Sequence, residues 1–107
     1  MKNILCFGDS NTYGYNPVSR TRYDYGVRWT GVLQKILGDG YRILEEGCNS
    51  RTTFIDDFAL PDKNAKDYIV PCLVSHAPLD LVVLMLRTNA LKFRFNLTPK
   101  NVAKSME

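Results

Sequence analysis

The sequence predicts an α/β fold in three layers, with helices covering both faces of a parallel sheet. Three observations carry this. Ile4-Leu5-Cys6-Phe7 is continuously apolar and the run from Leu79 to Leu86 is apolar at every position but Asp80, the pattern of strands buried on both faces. Trp29, Val32, Leu33, Ile36 and Leu37 fall at i, i+3, i+4, i+7 and i+8, and Ala65, Tyr68, Ile69, Cys72, Leu73 and His76 repeat that spacing. Strand-like and helix-like segments alternate, which favours parallel pairing through right-handed crossovers.

Taken in order, the first strand covers Asn3 to Phe7 and stops at Gly8. Residues 11–26, rich in Asn, Tyr, Gly and Arg, read as a long loop. The first helix follows Trp29 and is halted by Gly38 and Gly40. Tyr41 to Glu45 forms the second strand, ending at Gly47. Pro71 lies within the next helical stripe, so that helix is expected to kink or to begin late. Leu79 to Leu86 is the third strand, and Thr98-Pro99 reads as the cap and first position of a last short helix.

At 107 residues, 45% hydrophobic and 23% charged, the chain reads as a single domain, 1–107, too apolar for disorder. Its longest apolar stretch is far too short to span a bilayer, and Met1-Lys2-Asn3 leads directly into a strand without the pattern of a signal peptide. Three cysteines, an odd number, read as reduced and buried thiols, and a cytoplasmic location follows as an expectation. With no Cys-x-x-Cys pair and a single histidine, no metal site is expected. The net charge of +3 is unevenly spread. Residues 1–86 hold 9 basic and 10 acidic side chains, whereas 87–107 hold five basic against Glu107 alone. A short basic stretch of this kind is a solvated segment, so neither nucleic acid nor membrane is expected as a partner.

In a parallel sheet, sites form at the carboxyl ends of the strands. Three polar segments stand there: Gly8-Asp9-Ser10-Asn11, Gly47-Cys48-Asn49-Ser50 and Arg87-Thr88-Asn89-Ala90. A serine hydroxyl, a close-approaching glycine amide and a carboxamide donor are what acyl transfer requires. The same residues are also ordinary turn chemistry: Ser10 capping a turn, Gly47 ending a strand, Asn89 bonding local backbone. A nucleotide-binding reading shares the strand pattern, but Asp9 stands where a phosphate would sit.

Phe7-Gly8-Asp9-Ser10-Asn11-Thr12 resembles the first block of the SGNH, or GDSL, hydrolases. Glu46 to Thr53 resembles their second block and Leu84 to Ala90 their third. Val27 to Leu33 and Pro78 to Val82 resemble the aryl-esterase and acyltransferase type. The resemblance implies a flavodoxin-like fold of which the first three strands are present. It implies Ser10 as nucleophile, the amides of Ser10 and Gly47 and the side chain of Asn89 as the oxyanion hole, and Asp9 as loop support. A small ester or acyl ligand would meet Asn11, Tyr13 and Arg87, and no cofactor is needed. Tyr13, Tyr15, Tyr23 and Tyr25 read equally as an acyl or aryl pocket and as ordinary loop packing.

The pattern departs from the family in three places. Arg87 and Ala90 stand where the third block carries glycine and aspartate, and no Asp-x-x-His occurs in these residues. His76 precedes the third strand while Ser10 follows the first, which puts them about 20 Å apart for strands of six or seven residues. A serine without a base is a poor nucleophile, so these residues alone are expected to be inactive. The alternative is a non-catalytic small-ligand or interaction module on the same fold. The third strand has an edge with nothing after it to pair, so a homo-oligomer through that edge is expected.

Overall fold

A computed structural model describes residues 1–52 and 63–86. The elements in chain order are β1 (Lys2–Gly8), α1 (Ser10–Tyr13), β2 (Tyr15–Asn16), β3 (Thr21–Arg22), α2 (Trp29–Leu37), β4 (Tyr41–Gly47), α3 (Ala65–His76) and β5 (Leu81–Met85). The helix expected after Thr98 falls outside the described residues.

The α/β expectation holds. β1 lies at the centre of a parallel sheet ordered β4-β1-β5. Its residues alternate between two cores, as the period of two along a strand requires. Leu5 and Phe7 face α3 and pack with Ala65 and Cys72, while Ile4 and Cys6 face α2 and pack near Trp29 and Leu33. The alternation makes the three layers. Leu5, Cys6 and Phe7 are completely buried, and each large apolar side chain withdrawn this way contributes about 2 kcal/mol.

The opening of β5 is clamped to β1. The Asn3 amide donates to the Asp80 carboxylate at 2.7 Å, and the Asp80 amide returns a bond to the Asn3 carbonyl at 2.8 Å. This sets the register that ends with Gly8 opposite both Gly47 and Met85. All three strands therefore finish at one rim.

Two local expectations need correction. Residues 11–26 are not one loop. The Asp9 carboxylate caps Asn11, Gly14 adopts left-handed backbone (φ 86°), and together they make the single turn of α1. Asn16 then accepts from the amides of Val18 and Ser19, an Asx turn that joins β2 to antiparallel β3. Helix α3 does not begin late, because Asn64 caps it at Lys66 and it runs through Pro71. Its stop is Ala77, just before Pro78.

Candidate active site

The rim is assembled from the residues that end the strands. Asp9 is buried, and its Oδ1 accepts the Asn11 amide at 3.0 Å, which fixes Ser10 as the first residue of α1. Burial pushes the Asp9 carboxyl up, while hydrogen bonds from Asn11 and its own amide and the charge of Arg51 pull it back down. Ser10 lines a cavity of about 350 Å³ with Tyr15, Asn49 and Ser50. The segments after β1 and β4 thus meet at Ser10. A wider hollow of about 520 Å³ sits at the other end of β4, among Met1, Gln34, Asp39, Tyr41 and Arg42. It holds no nucleophile of the kind the sequence singled out.

Gly47 lies directly under α1. A Cβ there would come within 2.3 Å of the Tyr13 amide nitrogen and 2.7 Å of the Thr12 carbonyl carbon. Only a residue without a side chain lets the helix that opens with Ser10 seat on β4. Gly8 is confined in the same way: a Cβ would approach the Thr12 hydroxyl oxygen to 2.2 Å and the Met85 carbonyl to 2.8 Å. Thr12 is itself fully buried and accepts a bond from the Trp29 indole at 3.4 Å, which ties α1 to α2.

Other residues singled out from sequence are placed as follows. Asn11 is exposed beside Ser10. Tyr13 stacks under the Arg22 guanidinium, 4.3 Å from the ring centre, and Tyr15, not Tyr13, lines the cavity. Tyr23 and Tyr25 are exposed. Arg87, Asn89 and Ala90 lie outside the described residues, although β5 ends beside Gly8 at the rim from which that segment departs.

His76, the last residue of the α3 stripe, is partly buried and has a polar partner. Its Nε2 lies 2.8 Å from Glu46 Oε1, at the α3 face of the sheet. Glu46 is the register partner of Phe7. His76 is not among the residues lining the Ser10 cavity.

One residue that organises the rim had no role in the sequence reading. Arg51 is buried, and its Nη1 donates to the Gly8 carbonyl at 3.1 Å and the Glu46 carbonyl at 2.6 Å. Its guanidinium lies 4.0 Å from the centre of the Phe7 ring. One cation thus joins the ends of β1 and β4, the strands that deliver Ser10 and Gly47. The only signal was its position inside the second block, four residues after Gly47.

A parallel α/β layer that presents a serine between strand-end loops defines a hydrolase-type scaffold, and comparison with known proteins specifies which. No protein-family model matches the chain, and no curated protein sequence does. Among solved structures, the native aryl esterase of M. smegmatis matches at 47% identity over 99% of this chain and 51% of its own, with a TM-score of 0.96. Est24, a carbohydrate acetylesterase from Sinorhizobium meliloti, matches at 46% identity over 99% and 51%, with the same TM-score of 0.96. AlinE4, an SGNH-hydrolase family esterase, matches at 26% identity over 98% and 49%, with a TM-score of 0.72. The chain belongs to the SGNH hydrolase family. It spans about half the length of the structures it matches.

Proposed function

We propose that residues 1–107 carry the nucleophile and oxyanion-binding half of a serine esterase acting on small acyl esters. The observation that carries this is Ser10 facing a cavity formed where the segments after β1 and β4 meet, on a chain 47% identical to an aryl esterase. In this reading the Ser10 hydroxyl oxygen attacks the ester carbonyl carbon as its proton passes to a base. The amides of Ser10 and Gly47 and the side chain of Asn89 hold the oxyanion. The alcohol leaves protonated, and water or a second alcohol then takes the acyl group from Ser10. Asp9 holds the loop, and Tyr15 at the cavity wall, with Asn11 and Arg87, contacts the substrate. No metal or organic cofactor takes part.

The base is not His76, whose ring is engaged by Glu46. It comes from outside these 107 residues, where the family carries Asp-x-x-His. A second reading, a ligand-binding module without turnover, is favoured by Arg87 and Ala90, which replace the glycine and aspartate of the third block. We further propose a reducing, cytoplasmic setting, supported by the free thiols of Cys6, Cys48 and Cys72. Association of copies along β5 is supported by the exposure of Leu81, Leu84 and Met85.

A fluorophosphonate probe separates the two functional readings. Residues 1–107 are joined to the part of the M. smegmatis aryl esterase that they do not cover, and the labelled peptide is mapped by mass spectrometry. Label on Ser10 supports the esterase. A folded polypeptide that binds short-chain acyl ligands and leaves Ser10 unlabelled supports the module and overturns the esterase.

A further inference from the structure

Away from the Ser10 cavity, on the face of the sheet covered by α3, three donors of different chemistry converge. Cys72 and His76 stand four residues apart on α3, which places them on one side of the helix. Glu46 faces them from β4. The Cys72 sulfur, a His76 ring nitrogen and a Glu46 carboxylate oxygen all lie within 4.8 Å of one another, the one such grouping among the described residues. Two of the donors already touch, at 2.8 Å. Cys72 is buried, whereas Glu46 and His76 keep partial access to solvent, so an ion has a way in and a water can complete its shell.

We propose that Glu46, Cys72 and His76 form a binding site for one borderline divalent cation, zinc being the natural occupant. Thiolate, imidazole and carboxylate are the donors zinc takes, and three protein ligands with one water make a tetrahedral site. Neighbouring ligand atoms around such an ion are about 3.3–3.6 Å apart, from metal distances of about 2.0 Å to N or O and 2.3 Å to S. The existing spread reaches that geometry by small side-chain rotations. Binding breaks the S–H bond of Cys72, releases its proton to solvent and forms the metal–thiolate bond, with no change of oxidation state. The Tyr68 hydroxyl, 3.3 Å from both Glu46 oxygens, supplies an outer hydrogen bond that orients the carboxylate. Sequence spacing concealed the site because its third donor comes from a strand 26 residues before Cys72.

Cobalt(II) titration of the full 107-residue chain tests this, with zinc as competitor. The expected result is one ion per chain, tetrahedral visible absorption and a near-ultraviolet sulfur-to-cobalt band, all abolished by one equivalent of zinc. Cys72→Ser removes the sulfur band, and Cys72→Ser and His76→Gln each weaken binding at least tenfold. Cys48→Ser and Ser10→Ala leave both unchanged. Zinc also raises the melting temperature of the parent and not of Cys72→Ser, a readout that separates binding from folding. Absence of a sulfur band, its survival in Cys72→Ser, or its loss in Cys48→Ser overturns the proposal.

Discussion

Arg51 donates from Nη1 to the carbonyl of Gly8, 43 residues earlier, at 3.1 Å. That contact and its companion to the Glu46 carbonyl join the ends of β1 and β4, the strands that deliver Ser10 and Gly47. Removing this buried cation takes a charge-assisted bond from each carbonyl, although the Gly8 carbonyl keeps its bond from the Cys48 amide. Arg51→Met is therefore expected to lower stability by about 2–4 kcal/mol. Arg51→Lys should recover only part of that, because an ammonium lacks the planar fork and stacks less well on Phe7. Urea denaturation of the three proteins measures both differences.

Gly47→Ala should be as damaging, for a different reason. The added methyl meets backbone of α1, not a flexible side-chain end, so the helix bearing Ser10 must move. A loss of more than about 2 kcal/mol is expected. Gly40→Ala is the control, since a Cβ at Gly40 meets nothing within 4 Å. Equal thermal stability of the two variants would contradict this packing.

Asp9 carries a pH dependence. Burial raises its pKa in the native state, so the folded protein binds this proton more tightly than the unfolded chain. The resulting stabilisation is complete below about pH 4 and is lost as pH rises through the raised native value. Asp9→Asn keeps a capping oxygen and removes that downward slope, whereas Asp9→Ala costs about 1 kcal/mol at every pH through the lost cap. Stability measured against pH for the three proteins separates charge from capping.

The thiols should divide by environment. Cys6 is fully buried, and burial together with the charge of Glu45 pushes its pKa up to about 11. Cys72 is buried and also raised. Cys48 is only half-buried. An aromatic disulfide reagent near neutral pH is expected to titrate one thiol rapidly in the native protein and three after denaturation. The expectation of three buried thiols was thus too simple, because Cys48 sits past the end of β4 on the rim.

Much of the sheet was legible because burial on two faces leaves a plain signal. Ile4 to Phe7 and Leu81 to Leu86 have no polar alternation, the pattern of parallel-sheet strands, and they form β1 at the centre and β5 beside it. The helix stripes were equally visible. What escaped depended on contacts distant in sequence or on short polar devices. The cap from Asp9, the left-handed Gly14 and the Asx turn at Asn16 make structure without any apolar period, so residues 11–26 read as a loop. Arg51 had no assigned role until the fold brought its guanidinium against the Phe7 ring. His76 continued a helical stripe whose neighbouring strand presents Glu46, and nothing local to α3 announces that partner. At the rim, Ser10 and Gly47 were legible as residue types at strand ends, but the packing of α1 on Gly47 was not.

These 107 residues contain one histidine, and its ring is held by Glu46. By themselves they should show no Ser10-dependent ester hydrolysis above the oxyanion-hole remainder, since loss of the base typically costs about 10⁴- to 10⁶-fold in turnover. Parent and Ser10→Ala are then indistinguishable on an activated aryl acetate.

The most direct measurement is hydrolysis of that aryl acetate by residues 1–107 joined to the uncovered part of the M. smegmatis aryl esterase. We predict turnover that Ser10→Ala abolishes and His76→Gln leaves within about threefold, the range of an indirect structural effect. A folded, inactive polypeptide, or activity that survives Ser10→Ala or vanishes with His76→Gln, would contradict a Ser10 nucleophile served by a base from beyond these residues.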